Sequence, residues 1–500
     1  MISTTFLIVI LLYFSAVLGI GIWGYRKTRT EVDFLAAGRT IGPIVGGAVL
    51  AATQISAGTF VGTLGRHYST GISFFYIWAG VWAGWIASAL FVAPKLRRLG
   101  ALTVPDYIAA RFGSEKARVL SALLIIVSYT IYLVAQFQAS GEIARAIFGA
   151  PPIAGMIVVI ASTSVYTLMG GVRSSSYIEF VQTLIMVSGL VVAVPVLFYY
   201  TGGPTAAWSF LENLDPRLTG MYYSWRELLS FGLAFALSIC AAPYEITRFY
   251  SMRDERTVRR AIYVSIFFQF VIGSSVLMLG MLMRVLFPNL GSPDQASSIL
   301  AFRVLSPLAG SLLLVAMASA IMSTCNSILL VTGAGFAHDV YKKLLRPDAS
   351  QAHLVMVNRI SIVVLSLIPA YFALQRYGDV QSIVVEQAKL IASFFFVPVV
   401  IGVNWKRGTA AGAISSMVGG FLACLTWSLG LGAALGLGGI DSVEVGVAVS
   451  LVLFVLVSWM TPRVPEENLR VFFGEGSREG RRQETGGRRQ EEGKDSSIRS

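Results

Sequence analysis

Charge is what this 500-residue sequence has least of. Asp, Glu, Lys and Arg make up 13% of it, against about 25% in a typical soluble domain. Cysteine is scarce too. Cys240, Cys325 and Cys424 stand far apart, so they offer neither a disulfide framework nor a metal-ligand spacing. The three histidines, His67, His338 and His353, fall in loops or at segment edges, too few and too scattered for a haem or metal enzyme. No G-x-x-x-x-G-K-[ST] stretch occurs, which removes a P-loop ATP-driven pump. H-E-x-x-H and G-x-S-x-G are also missing, and with them two kinds of membrane protease.

What the chain has is apolar length. Hydrophobic residues reach 55% and mean hydropathy is +0.70. They gather in runs long enough for the roughly 20 helical residues a bilayer crossing needs. Barrel strands would be shorter and would alternate in polarity. The expected fold is therefore an all-α polytopic membrane protein. Thirteen segments emerge, at about 4–24, 42–64, 73–93, 119–148, 152–170, 177–200, 228–250, 260–287, 308–336, 354–374, 380–403, 409–434 and 442–461. The first lacks a basic flank and a small-residue cleavage site, and reads as a retained span.

The net charge of +12 points to loops beside lipid and not to nucleic acid. With the N-terminus outside, the loops on the inner side and the tail hold 31 of the 39 lysines and arginines. That bias predicts N-out, C-in, thirteen spans and a plasma-membrane location (the inner membrane of a Gram-negative cell). Residues 1–462 then form the transporter domain. Residues 463–500 are charged and Gly-rich, and are expected to be a disordered tail on the inner side.

Two spans interrupt themselves. Span 2 carries "TQISAG" at mid-length, and span 7 carries Pro243 after two alanines, followed by Glu245. Unpaired backbone in lipid is costly, so such breaks survive where protein or a wet cavity covers them. Small residues that allow close helix packing and a simple proline kink are the plainer reading. The two breaks lie five spans apart, and an odd repeat must enter from the opposite side. This predicts a 5+5 inverted repeat, spans 2–6 and 7–11, with broken helices 2 and 7 and with spans 1, 12 and 13 peripheral. Substrate and ion sites of many secondary transporters lie at such breaks.

Six stretches resemble the sodium/solute symporter family: "DFLAAGRTIG" (33–42), "ISAGTFVGTLGRHYSTG" (55–71), "LTVPDYIAARFG" (102–113), "YTLMGGVRSSSYIEFVQ" (166–182), "PYEITRFYSMRDERTVRRA" (243–261) and "ASAIMSTCNSILL" (318–330). The resemblance implies the fold of the bacterial leucine transporter and sodium-coupled uptake of a small solute, with sodium as the co-transported ion. Carried over by position, it implies sodium ligands at Ala52, Ile55, Ala320, Ser323 and Thr324. Oxygen ligands suit a hard cation, although Ser and Thr in helices also bond back to the preceding turn. A second ion position would fall on Glu179, Asn326 and Ser327. There the family's aspartate is a glutamate and one hydroxyl is Asn326, so Glu179 reads either as an exit-path carboxylate or as a surface group near Arg173.

The solute is expected beside the breaks, at Gln54, Ser56, Ala57, Gly58 and Thr59 on span 2 and at Phe235, Ile239 and Pro243 on span 7. In the proline-transporting branch both 235 and 239 are aromatic; here only Phe235 is. Lys389 shares a helix face with Glu386. It either holds a substrate carboxylate or forms a local pair and snorkels. The function expected is alternating-access symport of a small, carboxylate-bearing solute, such as an amino acid, a monocarboxylate or a pantothenate-like acid. The protein is not expected to be an enzyme. Its expected partners are solute, sodium and lipid, with no obligatory protein partner. A transporter-fold sensor and a sodium-independent uniporter are the rival readings.

Overall fold

The computed structural model describes residues 4–27, 33, 36–99, 103–376 and 378–473, with backbone alone at 97–98, 146–148 and 164–170. Among these residues there is no β-strand beyond one isolated bridge, Ile41 to Met252. The principal helices, in chain order, begin with α1 (Thr4–Lys27), α2 (Pro43–Gln54), α3 (Leu64–Thr70), α4 (Ile77–Ala87), α5 (Val104–Phe112) and α6 (Glu115–Phe148). They continue with α7 (Pro152–Tyr200), α8 (Pro204–Leu214), α9 (Trp225–Ala241), α10 (Pro243–Ile246), α11 (Glu255–Leu286) and α12 (Pro307–Ala334). The last five are α13 (Gln351–Gln375), α14 (Val380–Phe396), α15 (Ala410–Thr426), α16 (Ser442–Met460) and α17 (Glu466–Phe473). Their starts are capped as local chemistry requires. Ser224 and Glu227 form a reciprocal capping box on α9, and Asp254 accepts from the Thr257 amide at 2.6 Å on α11.

Among the described residues ten helices are long and apolar enough to cross a bilayer, or eleven if the bent pair Trp225–Ala241 and Pro243–Ser251 counts as one span. Thirteen were expected. Two of the expected segments, 42–64 and 152–170, hold the shorter apolar helices Pro43–Gln54 and Pro152–Thr163, and the end of the first lies in the long helix Gly58–Leu96. The first is cut by the break in span 2. The second runs on into the 49-residue α7, whose direction changes at Gly171 (φ 54°, ψ −145°).

Burial separates centre from periphery. The apolar windows of Pro307–Leu345 and Val380–Asn404 are 83% and 89% buried, so α12 and α14 form the core of the bundle. Those of α1, the α15 region and α16 are only 22%, 22% and 28% buried, and these helices lie at its edge. Close helix approach depends on missing side chains. A Cβ at Gly80 on α4 would sit 2.2 Å from the Gly232 carbonyl oxygen of α9.

Part of the segment expected to be disordered is ordered. Glu466–Phe473 is helical, because its apolar face finds a surface at one end of the bundle. Phe472 is buried against Tyr107 with ring centroids 5.4 Å apart. Phe473 faces Lys95, Arg111 and Lys406 at 5.0, 5.2 and 5.7 Å. Asn468 Nδ2 donates to the Ala110 carbonyl at 3.0 Å. Residues 474–500 of the expected tail lie outside the described residues.

Candidate functional site

Helix α2 stops at Gln54. Ile55 turns extended (φ −78°, ψ 119°), and helix resumes as a π turn over Gly58–Thr63. The break has its own polar partners. Ser56 Oγ accepts from the Gly58 amide at 3.0 Å, and the Ala57 amide donates to Gln136 Oε1 at 3.1 Å. Tyr132 OH donates to Ser56 Oγ at 3.1 Å. Both Tyr132 and Gln136 come from α6.

The free carbonyls of the break face α12. Ser323 Oγ donates to the Ala52 carbonyl at 2.9 Å and to that of Ala320 at 3.0 Å. Thr324 Oγ1 donates to the Ile55 carbonyl at 3.2 Å and reaches that of Thr53 at 3.5 Å. All five candidate sodium ligands are fully buried. Ser323 does bond back into its own helix, but Thr324 spends its hydroxyl across the bundle. Ser323 thus joins the Ala52 and Ala320 carbonyls and Thr324 that of Ile55, oxygens of the kind a small hard cation takes.

A pocket of about 330 Å³ adjoins the break. Gln54, Ser56, Gly58, Thr59 and Phe235 line it, as expected. The rest of its wall comes from elsewhere: Ile77, Trp78 and Val81 on α4, Tyr132 on α6, Gln381 and Val384 on α14, and Thr63. No charged side chain is among them. Gln54 Oε1 and Trp78 Nε1 are buried without a protein hydrogen-bond partner, one an acceptor and the other a donor.

Four expected pocket residues lie elsewhere. Ala57 contributes its amide to Gln136 and does not line the pocket. Ile239 packs toward Gly84, whose missing side chain makes room for it. Pro243 opens α10 beyond the second break, where Ala242 is extended (φ −62°, ψ 118°). Lys389 points to the periphery. Its Nζ lies 2.9 Å from Glu386 and 3.0 Å from Asp441 at the start of α16, while Ser428 Oγ donates to Glu386 at 2.8 Å. The local pair is real, and Asp441 makes it a tie between α14 and α16.

Glu179, Asn326 and Ser327 do converge, but around Arg248, which the sequence placed only among basic loop charges. Arg248 Nη2 lies 2.7 Å from Glu179 Oε1 and 2.5 Å from Ser327 Oγ. Asn326 Nδ2 donates to the same Glu179 oxygen at 2.7 Å. A fixed guanidinium thus sits among the three side chains assigned to a second ion. Glu179 is fully buried, so it is not a surface group, and Arg173 pairs instead with Asp33 at 2.7 Å. Arg248 and Ser327 also line a cleft of about 490 Å³ with Thr103, Thr247 and Leu330, next to the end of the bundle where α5 lies. The clue available in the sequence was the position of Arg248, inside the expected bounds of span 7.

Known proteins resemble this chain over most of its length. The model of the sodium:solute symporter family matches residues 34–420. The osmoregulated proline transporter OpuE of Bacillus subtilis (strain 168) is 28% identical over 475 residues, covering 92% of this chain and 96% of that protein. The high-affinity proline transporter PutP of the same organism is 27% identical, over 82% of this chain and 89% of its own. Among solved structures, a Na+-coupled sialic acid symporter in a substrate-bound, outward-open state superimposes with a TM-score of 0.81, at 17% identity. It covers 93% of this chain and 100% of that one. The nucleobase-cation symporter Mhp1, in a closed conformation, gives 0.57 at 12% identity, over 88% and 98% of the two chains.

Proposed function

The chain belongs to the sodium:solute symporter family, and from that premise we propose that it carries a small carboxylate-bearing solute into the cell by alternating access. The family makes it a multi-pass membrane transporter and not an enzyme, with sodium as the co-transported ion. In our reading sodium binds among Ala52, Ile55, Ala320, Ser323 and Thr324. The solute occupies the pocket lined by Gln54, Ser56, Gly58, Thr59 and Phe235. The observation that carries this reading is the meeting of Thr324 with the Ile55 carbonyl at 3.2 Å, directly before Ser56 of the pocket wall. Ion and solute share one backbone break, so each stabilises the arrangement the other needs.

The pocket has no charged side chain, so a bound carboxylate finds its positive charge in the adjacent sodium. Amides and hydroxyls then fix its orientation. L-Proline is the first solute to test, because the curated relatives are proline transporters. The loss of an aromatic at Ile239 matters less than its position suggested, since that side chain faces α4. With the N-terminus outside and the C-terminus inside, a membrane potential favours inward sodium release by about 2.3 kcal/mol per charge per 100 mV. We also hold to the inverted repeat of segments 2–6 and 7–11, to thirteen spans once the two short helices are counted, and to a transporter domain over 1–462, onto whose end α17 packs. The weak burial of α1, the α15 region and α16 supports their peripheral place.

The test is a solute panel in proteoliposomes, with sodium, potassium or protons as the only gradient. Saturable uptake that collapses without a sodium gradient is expected. Uptake indifferent to sodium would favour a uniporter, and ligand binding without uptake would favour a sensor.

A further inference from the structure

Glu245 takes no part in the sodium or solute arrangement, yet it lies three residues past the second break, where the two halves of the bent span meet at 44°. Its side chain is fully buried. It is the one carboxylate among the described residues with both oxygens buried and no hydrogen bond of good geometry, the neutral Tyr244 hydroxyl of the preceding residue standing close by. The groups around it are neutral. From α6 come Tyr129 and Tyr132, whose rings lie 5.3 and 6.0 Å from that of Tyr244 on its own helix. Cys240 stands on α9 and Cys325 is the one titratable residue of α12. Helix α2 carries none. Arg248, one turn on, commits its guanidinium to Glu179, Ser327 and Ser175.

An ionised carboxylate in such a place lacks both water and a counter-charge, which is far more costly than burying a neutral carboxyl. Ionisable groups inside a span are expensive and tend to mark ion or proton paths. We propose that Glu245 is a proton-binding site of the transport cycle. Its carboxyl holds a proton while the bent span is closed over it. When the break opens and wets, the O–H bond is broken and the proton passes to water, leaving a carboxylate and hydronium. Protonation from water restores the neutral form before closure. The inference rests on the alternating-access reading but not on the identity of the solute.

Infrared spectra of the full chain in lipid at neutral pH decide it. The carbonyl stretch of a protonated carboxyl should be present, lost in Glu245→Gln and retained in Glu179→Gln. Absence of that band, or its survival in Glu245→Gln, overturns the proposal. Proteoliposomes holding a pH-sensitive dye give a second reading, with a sodium gradient and L-proline as the probe. The change in internal pH per proline taken up should vanish in Glu245→Gln; a change that persists counts against a proton at this residue. If the unsubstituted protein takes up no proline, the proposed solute fails, and the infrared band still decides whether Glu245 holds a proton.

Discussion

At Thr324 a single hydroxyl separates ion chemistry from helix packing. Its bond to Ile55 crosses from α12 to the broken helix instead of closing a local turn. Thr324→Ala should therefore raise the sodium concentration for half-maximal uptake at least about tenfold, the equivalent of one hydrogen-bond-sized term of roughly 1.4 kcal/mol. An unchanged sodium dependence would refute the assigned ion site. Arg248 supports the interior in a different way. Removing it strands Glu179 as a buried anion, which typically costs about 3–5 kcal/mol. Arg248→Met should lower thermal stability sharply, and Arg248→Met combined with Glu179→Met should recover much of the loss. Equal losses in the two variants would mean that the pair is not coupled. These residues also mark what was legible beforehand. The break at Ile55 and the hydroxyls of Ser323 and Thr324 lie in short, recognisable runs. Gln136, Tyr132 and Gln381 reach the site from helices far along the chain and carry no local signature. The spacing of Glu386 and Lys389 put them on one face, but it could not say that Asp441 and Ser428 would meet that face.

Element-scale packing follows from which helices touch without side chains between them. Gly80 and Gly232 let α4 and α9 approach closely beside the pocket wall that Trp78 and Phe235 share. Gly80→Val should push those helices apart and cost about 1–3 kcal/mol, read as a drop in Tm together with weaker solute uptake. A near-neutral result would mean that α9 shifts freely. The turn before α12 offers a pH test. Burial raises the Asp294 carboxyl to about 6, and the neighbouring Asp379 adds to the rise, against the Val380 amide and Arg66. Its unfolded value is near 3.8, so the folded chain binds the extra proton between those two values. Stability therefore falls as pH rises through that window, and the penalty persists above it. Asp294→Asn should flatten the change in Tm between about pH 4 and 6 and gain most near neutrality; an unaltered slope would exclude the residue. Segment boundaries were the least legible feature at this scale. The break in span 2, expected from "TQISAG", falls at Ile55, while the expected segments 152–170 and 177–200 join in one 49-residue stretch that bends at Gly171.

For the molecule as a whole, the elements that meet at the site are also the most enclosed. Helices α12 and α14 fill the centre, while α1, α15 and α16 stand at the edge of the bundle. Composition announced the membrane, but it hid the last helix, because a short charged segment resembles disorder until a surface exists to receive it. That surface is built by Tyr107, Ala110 and Arg111 of α5 and by Lys95 and Lys406. A chain ended after Val464 should unfold at lower temperature than one ended after Phe473, which should match the full chain; equal Tm values would show that the helix adds nothing. The same docking sets a rule for reporter design. A fluorescent protein fused at residue 463 would displace Phe472 from Tyr107, and an altered signal from it would record that injury as much as transport. A fusion placed after Phe473 leaves the helix seated and reports on an intact molecule.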